Sequence, residues 1–361
     1  MKKNPVDPVH LLFDKSSMNQ AVLQPESTNF VCAEYEAIRG GIGVLEIPAG
    51  KLRLSGKNAV QFLNGLVSND VKTLASGAGV LAAFPNVQGK VAALARIYQT
   101  AEGLLLELDA SNRAKIFKNL NRFVLAGEFF LTDATEQLAL LSLQGPRAAA
   151  LLNQLTGATF EAAPKIFGPY TIATHTLAET PVQIATHSRT GAPGFDLYVN
   201  AAAAAQVWQA LVAAGARPAG QRALESARLE AAIPHEPTDV NENYIVNETN
   251  LADAVSYTKG CYLGQEIIAR IHWRGQPAKQ LKGLWVEATE PPAPGTELWA
   301  ADGKKVGELT SSVRSFALDR VIAFGYVHRN YLTAGTSFTL KHNETEIGQA
   351  SLAETPFVTP N

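Results

Sequence analysis

Apolar positions along the chain fall into two successive groups of short runs, each combining strand-like alternation with helical spacing. In the first group, 80–84, 91–98 and 104–108 read as strands, separated by the turn formers Pro85-Asn86-Val87-Gln88-Gly89 and Thr100-Ala101-Glu102-Gly103. Ser111 then caps a predicted helix whose apolar positions Ile116, Leu120, Phe123 and Val124 follow the helical period, and 129–132 returns as a strand. The second group repeats these parts. Strand 138–143 leads to a helix that opens at Pro146 and closes at Gly157, then to strands near 170–173, 182–186 and 195–199 and an alanine-rich helix over 201–214. After Pro277 the pattern changes to short strands with no helix between them, at 281–286, 297–300, 306–312, 321–327, 338–341 and 348–352. The fold class this implies is α+β, with two α+β subdomains and then a small antiparallel β-barrel.

These limits divide the chain into a polar, proline-punctuated lead over 1–34 with little to bury, a two-part α+β region over 35–280, and the barrel over 281–361. Hydrophobic residues make up 46% of the 361, ample for two or three cores. Lys and Arg total 31 against 33 for Asp and Glu, a net charge of −2, so overall charge gives no pull toward nucleic acid or an acidic membrane. The apolar stretch over 9–13, interrupted by His10, is too short for a secretory leader or a membrane span, so the expected location is the cytoplasm. The two cysteines, Cys32 and Cys261, lie far apart and form no C-x-x-C, which leaves a cluster bridging two copies as the one four-thiolate option. The seven histidines show no metal-ligand spacing, and no P-loop, dinucleotide or nucleophile-elbow motif is present.

The chemistry concentrates in Lys259-Gly260-Cys261-Tyr262-Leu263-Gly264-Gln265-Glu266. A cysteine between two glycines, beside a lysine and before a helix-like run, stands where a thiolate is favoured, so Cys261 is the expected reactive thiol and Lys259 its activator. The alternative is a small buried apolar residue next to a turn. The run 265–271 reads as helix, with Glu266 and Arg270 paired at i,i+4 and Ile267, Ile268 and Ile271 on a buried face. The glycines are expected to permit backbone angles or close approaches that a side chain forbids. Cys32, in Asn29-Phe30-Val31-Cys32-Ala33-Glu34, has no such setting and reads as incidental.

This octapeptide resembles the signature of YgfZ-type folate-binding proteins, which assist iron–sulfur enzymes and are relatives of the glycine-cleavage T-protein. The likeness extends through Arg228-Leu229-Glu230-Ala231-Ala232-Ile233-Pro234 and Asn247-Glu248-Thr249-Asn250-Leu251. It reaches the N-terminal half at Phe62-Leu63-Asn64-Gly65-Leu66-Val67-Ser68-Asn69-Asp70-Val71 and Leu143-Gln144-Gly145-Pro146-Arg147-Ala148, and covers roughly 35–340. It implies a T-protein-like arrangement, with the two subdomains around a central folate cavity and the barrel alongside.

The resemblance also implies a ligand set. Arg228 and Glu230 match positions lining the folate cavity, and Asp196 in Gly194-Phe195-Asp196-Leu197 matches a carboxylate able to take two hydrogen bonds from an aminopyrimidine edge. Tyr244, Asn247 and Glu248 are expected to close over the ligand, and Gln265 to contact it. The alternatives are an exposed Asp196 on an alternating strand, and a surface pair of Arg228 with Glu230 worth about 0–1 kcal/mol.

One departure bears on the reaction. Where aminomethyltransferases of the superfamily carry an aspartate after an N-x-x-G-G turn, this chain has Asn86-Val87-Gln88-Gly89-Lys90-Val91-Ala92-Ala93-Leu94, and apolar Ala93 can neither hold a cation nor steer a proton. The expected function is therefore a tetrahydrofolate-binding accessory protein for assembly or repair of iron–sulfur enzymes. Its expected cofactor is tetrahydrofolate or a reduced derivative, and its partners are iron–sulfur clients or assembly factors, with no nucleic acid or membrane. The alternative is a folate-dependent aminomethyltransferase of the T-protein type.

Overall fold

The computed structural model describes residues 28–124 and 128–359, so the expected polar lead lies outside that range up to residue 27. Its remainder opens the helix Thr28–Gly40, ahead of the expected limit at 35, because Val31, Tyr35 and Ile38 recur on one face and bury against Leu45 and Leu224.

Among the described residues an eleven-stranded sheet carries both predicted groups. From edge to edge its strands are Arg217–Pro218, Gly43–Glu46, Leu138–Gln144, Gly194–Asn200, Thr180–Thr186, Tyr170–Leu177, Ala78–Pro85, Val91–Thr100, Gly103–Asp109, Ala49–Ser55 and Phe130–Asp133. The two groups meet at a short pairing of Ala78 with Thr171 and Gly79 with Tyr170. The strand Gly43–Glu46 crosses over, pairing antiparallel with Leu138–Gln144 and parallel with Arg217–Pro218, which laces the N-terminal part into the second group.

Strand alternation gives each group its own core and a shared interface. Along Val91–Thr100, Ala93, Ala95 and Ile97 pack with Leu52, Leu63 and Leu106 under the helix Arg113–Asn121, while Leu94 and Tyr98 on the opposite face pack with Tyr170, Tyr198 and Leu251. The cap of the segment leading into that helix is Asp109, whose Oδ1 accepts the Ser111 N–H at 2.9 Å, and Phe123, expected inside, is 46% exposed beyond the helix end.

The C-terminal strands close a six-stranded barrel in the order Lys279–Glu287, Arg320–His328, Lys305–Ser315, Glu297–Trp299, Ser337–His342 and Thr345–Leu352, the last pairing back to the first. The barrel docks through a mixed cluster of Leu229 and Tyr244 with Leu281, Ile322, Phe324 and Tyr326, in which the Tyr244 and Tyr326 rings stack with centroids 3.5 Å apart. No helix of the described residues is long and apolar enough to cross a membrane.

Candidate functional site

The 259–266 loop is anchored on a segment nearly 200 residues earlier. The Lys259 ammonium donates to the carbonyls of Asn64, Val67 and Asn69 at 2.7, 2.9 and 2.5 Å, so all three of its donors are engaged. Leu263 N–H donates to the Gly65 carbonyl at 3.0 Å, Ser256 N–H to the Ser68 carbonyl at 3.0 Å, and Asn69 Nδ2 to the Asp253 carbonyl at 2.7 Å. Burial pushes the Lys259 ammonium down to about 8, with Asp70 acting in the opposite sense, and it stays protonated at neutral pH. The expected activator is thus a clamp: its hydrogen bonds go to backbone, and none goes to the thiol.

Cys261 is exposed, so it is not the buried apolar residue of the alternative reading. The helix Gln265–Arg274 begins after the N-cap Gly264, which puts Cys261 upstream of the first turn, where the field of the helix end is weak. Gly264 adopts a φ of +78°, and a β-carbon there would lie 2.3 Å from the Asn86 carbonyl, so the turn before Val91 requires this glycine. Gly260 has open space around it. Gln265 Oε1 accepts the Tyr262 N–H at 2.9 Å and closes the turn, a structural use in place of the expected ligand contact. On the helix, Ile268 alone of the three expected isoleucines is buried, packed in the cluster with Leu81, Ala83, Val91 and Leu251; Ile267 and Ile271 are half-buried.

Between the subdomains lies a cleft of two lobes, of about 100 and 170 Å³, which share Ile47, Pro48, Arg96, Arg189 and His235 in their walls. Cys261 lines neither lobe. A fully connected ionic network forms the back of the cleft. Glu107 accepts from Arg96 at 3.0 Å, Arg189 at 2.8 Å and the Tyr198 hydroxyl at 2.5 Å, while Asp196 accepts from Arg189 at 3.1 and 2.6 Å and from His187 Nδ1 at 2.6 Å. Burial pushes both carboxyls up, but the arginines outweigh it and hold both below the usual range. Burial, reinforced by Arg96, pushes His187 down to about 4 against the pull of Asp196. The imidazole is therefore neutral at pH 7, and Nδ1–H donates to the ionised Asp196. Ligand atoms of Glu107, His187 and Asp196 converge within 4.8 Å, yet Arg96 and Arg189 already balance the two carboxylates, so the network is complete without a cation.

Asp196 is thus neither exposed nor open to a ligand; it orients Arg189 and His187 at the cleft wall. The unengaged polar groups are elsewhere. Arg96 Nε is buried without a partner among the described residues. Glu236 lines the smaller lobe, with both carboxyl oxygens on a single donor, the Leu94 N–H, at 3.0 and 3.1 Å. Burial pushes Glu236 up to about 8 against that hydrogen bond, so it carries a proton at neutral pH.

The other expected ligand residues are structural in this fold. Arg228, 4% exposed at the cleft edge, donates to Asp239, the Ile233 carbonyl, Ser311 and Glu225, tying the helix Gln221–Glu230 to the barrel. Four of its N–H groups donate hydrogen bonds, and Nη2 also lies 2.7 Å from a Glu225 carboxyl oxygen. Glu230 is fully buried and accepts from Tyr35 Oη at 2.5 Å, Ser315 at 2.6 Å and Ser226 at 3.0 Å, away from the cleft. Tyr244 is buried in its stack on Tyr326, and Glu248 accepts the Ile245 N–H at 3.0 Å, fixing the turn. Asn247 donates to Tyr257 and the Ile268 carbonyl, and its buried Oδ1 has no partner, lining a separate hollow beside the helix Gln265–Arg274.

The strand phase also corrects the position of the missing acid. Ala93 is fully buried in the first core, so its side chain points away from the cleft; Leu94 faces it. The cleft wall remains apolar at this point of the strand. Glu107, His187, Arg189, Arg96 and Glu236 were missed by sequence reasoning. The signal for Glu107 and Arg96 is a charge inside an otherwise apolar strand; nothing local marks Glu236.

A long sheet in two groups, a cleft between them and a closed barrel alongside define a T-protein-type fold. Residues 12–259 match the GCVT N-terminal domain and 279–359 the glycine cleavage T-protein C-terminal barrel domain, and the chain belongs to the glycine cleavage T-protein family. It is 32% identical over 330 residues to an aminomethyltransferase of Thermus thermophilus, covering 91% of each chain. It is 26% identical over 326 residues to a chloroplastic protein of Arabidopsis thaliana that bears the name of a transferase, covering 90% of this chain and 73% of the relative. Its fold matches the glycine cleavage system aminomethyltransferase T of Bartonella henselae with a TM-score of 0.80 at 23% identity, over 91% of this chain and 90% of that one.

Proposed function

We propose that the protein is a reduced-folate-binding accessory factor of the YgfZ type, acting in assembly or repair of iron–sulfur enzymes in the cytoplasm, with Cys261 as its working thiol. The observation that carries this reading is the anchoring of the 259–266 loop. Lys259, Gly264 and Gln265 are each engaged in fixing it, while Gly260 and Cys261 stand exposed with no task in the fold. A loop so firmly held, ending in an unengaged thiol, is a built display for meeting another molecule.

The cleft supports the folate part. Its walls combine apolar Ile47, Pro48, Leu94 and Phe167 with unengaged polar groups on Arg96 and Glu236, the composition that suits a planar heteroaromatic ring with a polar edge. A bound tetrahydrofolate would supply a one-carbon acceptor; Arg96 and Glu236 would orient it, and Leu94 would exclude water from its face.

Aminomethyl transfer is the second reading, and the names of the relatives favour it. Against it stands the apolar Leu94 at the cleft-facing strand position. Calorimetric titration with reduced folates, beside complementation of a deletion strain by wild type and Cys261→Ala, tests the choice. Folate binding by both proteins, with iron–sulfur enzyme activity restored by wild type alone, is the expected result. Transfer of an aminomethyl group from a lipoyl carrier to tetrahydrofolate by the pure protein would instead establish the second reading.

A further inference from the structure

We infer that Glu236 serves as a hydrogen-bond donor in the cleft, its O–H engaging an acceptor atom on the ring system of the bound reduced folate. This rests on the folate reading above. The geometry begins with its surroundings: Glu236 is 6% exposed, lines the smaller lobe, and forms no ion pair among the described residues. Among the described residues its one hydrogen-bond partner is the Leu94 N–H, which uses only part of its acceptor capacity and leaves a protonated oxygen with no acceptor among them.

The charged groups around it relieve this only in part, Lys115 and Arg96 pulling its pKa down against burial and Asp109. Arg96, on the same strand as Leu94, is directed to Glu107. Lys115, from the helix Arg113–Asn121, is held by the Ala92 carbonyl at 2.5 Å and Glu242 at 2.7 Å. Asp109, across the lobe, adds a charge of the same sign as an ionised Glu236, and His235, pushed down by burial and by Arg228, contributes no positive charge at neutral pH. Burial without a paired counter-ion is the physical reason for the proton, and the carboxyl that carries it lines the cleft.

The chemistry also sets a specificity. A neutral acid donates once and accepts once, so it pairs with an edge that presents both an acceptor and a donor, such as a carbonyl beside a ring N–H. An ionised carboxylate only accepts, and at this position it would reject the same edge. Leu94 offers no donor from its side chain, which leaves Glu236 to supply the polar contact at that wall.

The test is the pH profile of tetrahydrofolate binding by calorimetry, with Glu236→Gln and Glu236→Ala beside the wild type. If only the protonated form binds, wild-type Kd weakens about 10-fold between pH 7 and 9. E236Q, which keeps a neutral donor and acceptor, is expected to bind within about 3-fold of wild type at pH 7 with a flat profile, and E236A to bind more weakly throughout. A wild-type profile that is flat, or one that E236Q reproduces, overturns this inference while leaving folate binding intact. Infrared difference spectra of wild type against E236Q, recorded without ligand, give an independent arm. A protonated-carboxyl band present at pH 7 and lost by about pH 9.5 is expected, and its absence at pH 7 overturns the inference whatever the titrations show. A flat titration of the wild type with every reduced folate removes the folate reading and this one together.

Discussion

The Asn86 carbonyl lies so close to Gly264 that a β-carbon on the glycine would stand 2.3 Å from its oxygen. The hairpin turn of the first subdomain and the loop displaying Cys261 therefore touch backbone to backbone. Gly264→Ala meets both that overlap and a left-handed φ, and is expected to destabilise the protein by at least about 2 kcal/mol. Gly260→Ala, in open space, is expected to stay within about 1 kcal/mol of wild type. Urea unfolding of the two variants makes the comparison.

Lys259 provides a second check on the same loop. Replacing it with methionine strips the partner from three backbone carbonyls at once, and a loss of about 1–3 kcal/mol is expected. Hydrogen exchange should rise over 62–71 as well as over 256–264, because the two segments are joined through this ammonium. Faster exchange confined to the second segment would show that the clamp is not what orders the first.

Arg228 tests the assignment of a family-marked residue to structure. Its guanidinium bridges the buried Asp239, Ser311 of the barrel and the Ile233 carbonyl, so Arg228→Met leaves Asp239 buried without its cation. Breaking such a pair costs about 3–5 kcal/mol. Loss of stability is expected to precede any change in ligand affinity measured under conditions where the variant is folded; a stable variant with abolished binding would return Arg228 to the ligand set.

Stability against pH should report Glu236 even without ligand. Its folded value is raised from an ordinary 4.5 to about 8. Its stabilising contribution is therefore fully present below about pH 4.5 and is lost as pH rises through about 8. Glu236→Gln, which cannot ionise, is expected to be more stable than wild type by about 5 kcal/mol at pH 9 and equal to it near pH 4. Thermal unfolding across this range reads the crossover directly.

The strand periods, the change of pattern after Pro277 and the helix after Gly264 were legible in the sequence because each depends on local spacing. Strand phase was not. Whether Ala93 or Leu94 faces the cleft depends on which side of Val91–Thr100 meets the helix Arg113–Asn121, and alternation alone is symmetric between the two faces. The engagement of the candidate ligands by other elements was not legible for a related reason. Asp196, Arg228 and Glu230 have the right chemistry for a folate, but the same donors and acceptors serve Arg189, Asp239 and Tyr35, partners supplied by other elements.

The sequence by itself determined the two α+β groups, the barrel and the display of a single cysteine in a glycine-flanked loop, since backbone preference and burial pattern are properties of neighbouring residues. The tertiary structure decided which polar groups remain unengaged. A buried charge is neutralised, paired or left protonated according to what the fold places within hydrogen-bond reach, and that raises the pKa of Glu236 and puts the ammonium of Lys259 on three carbonyls.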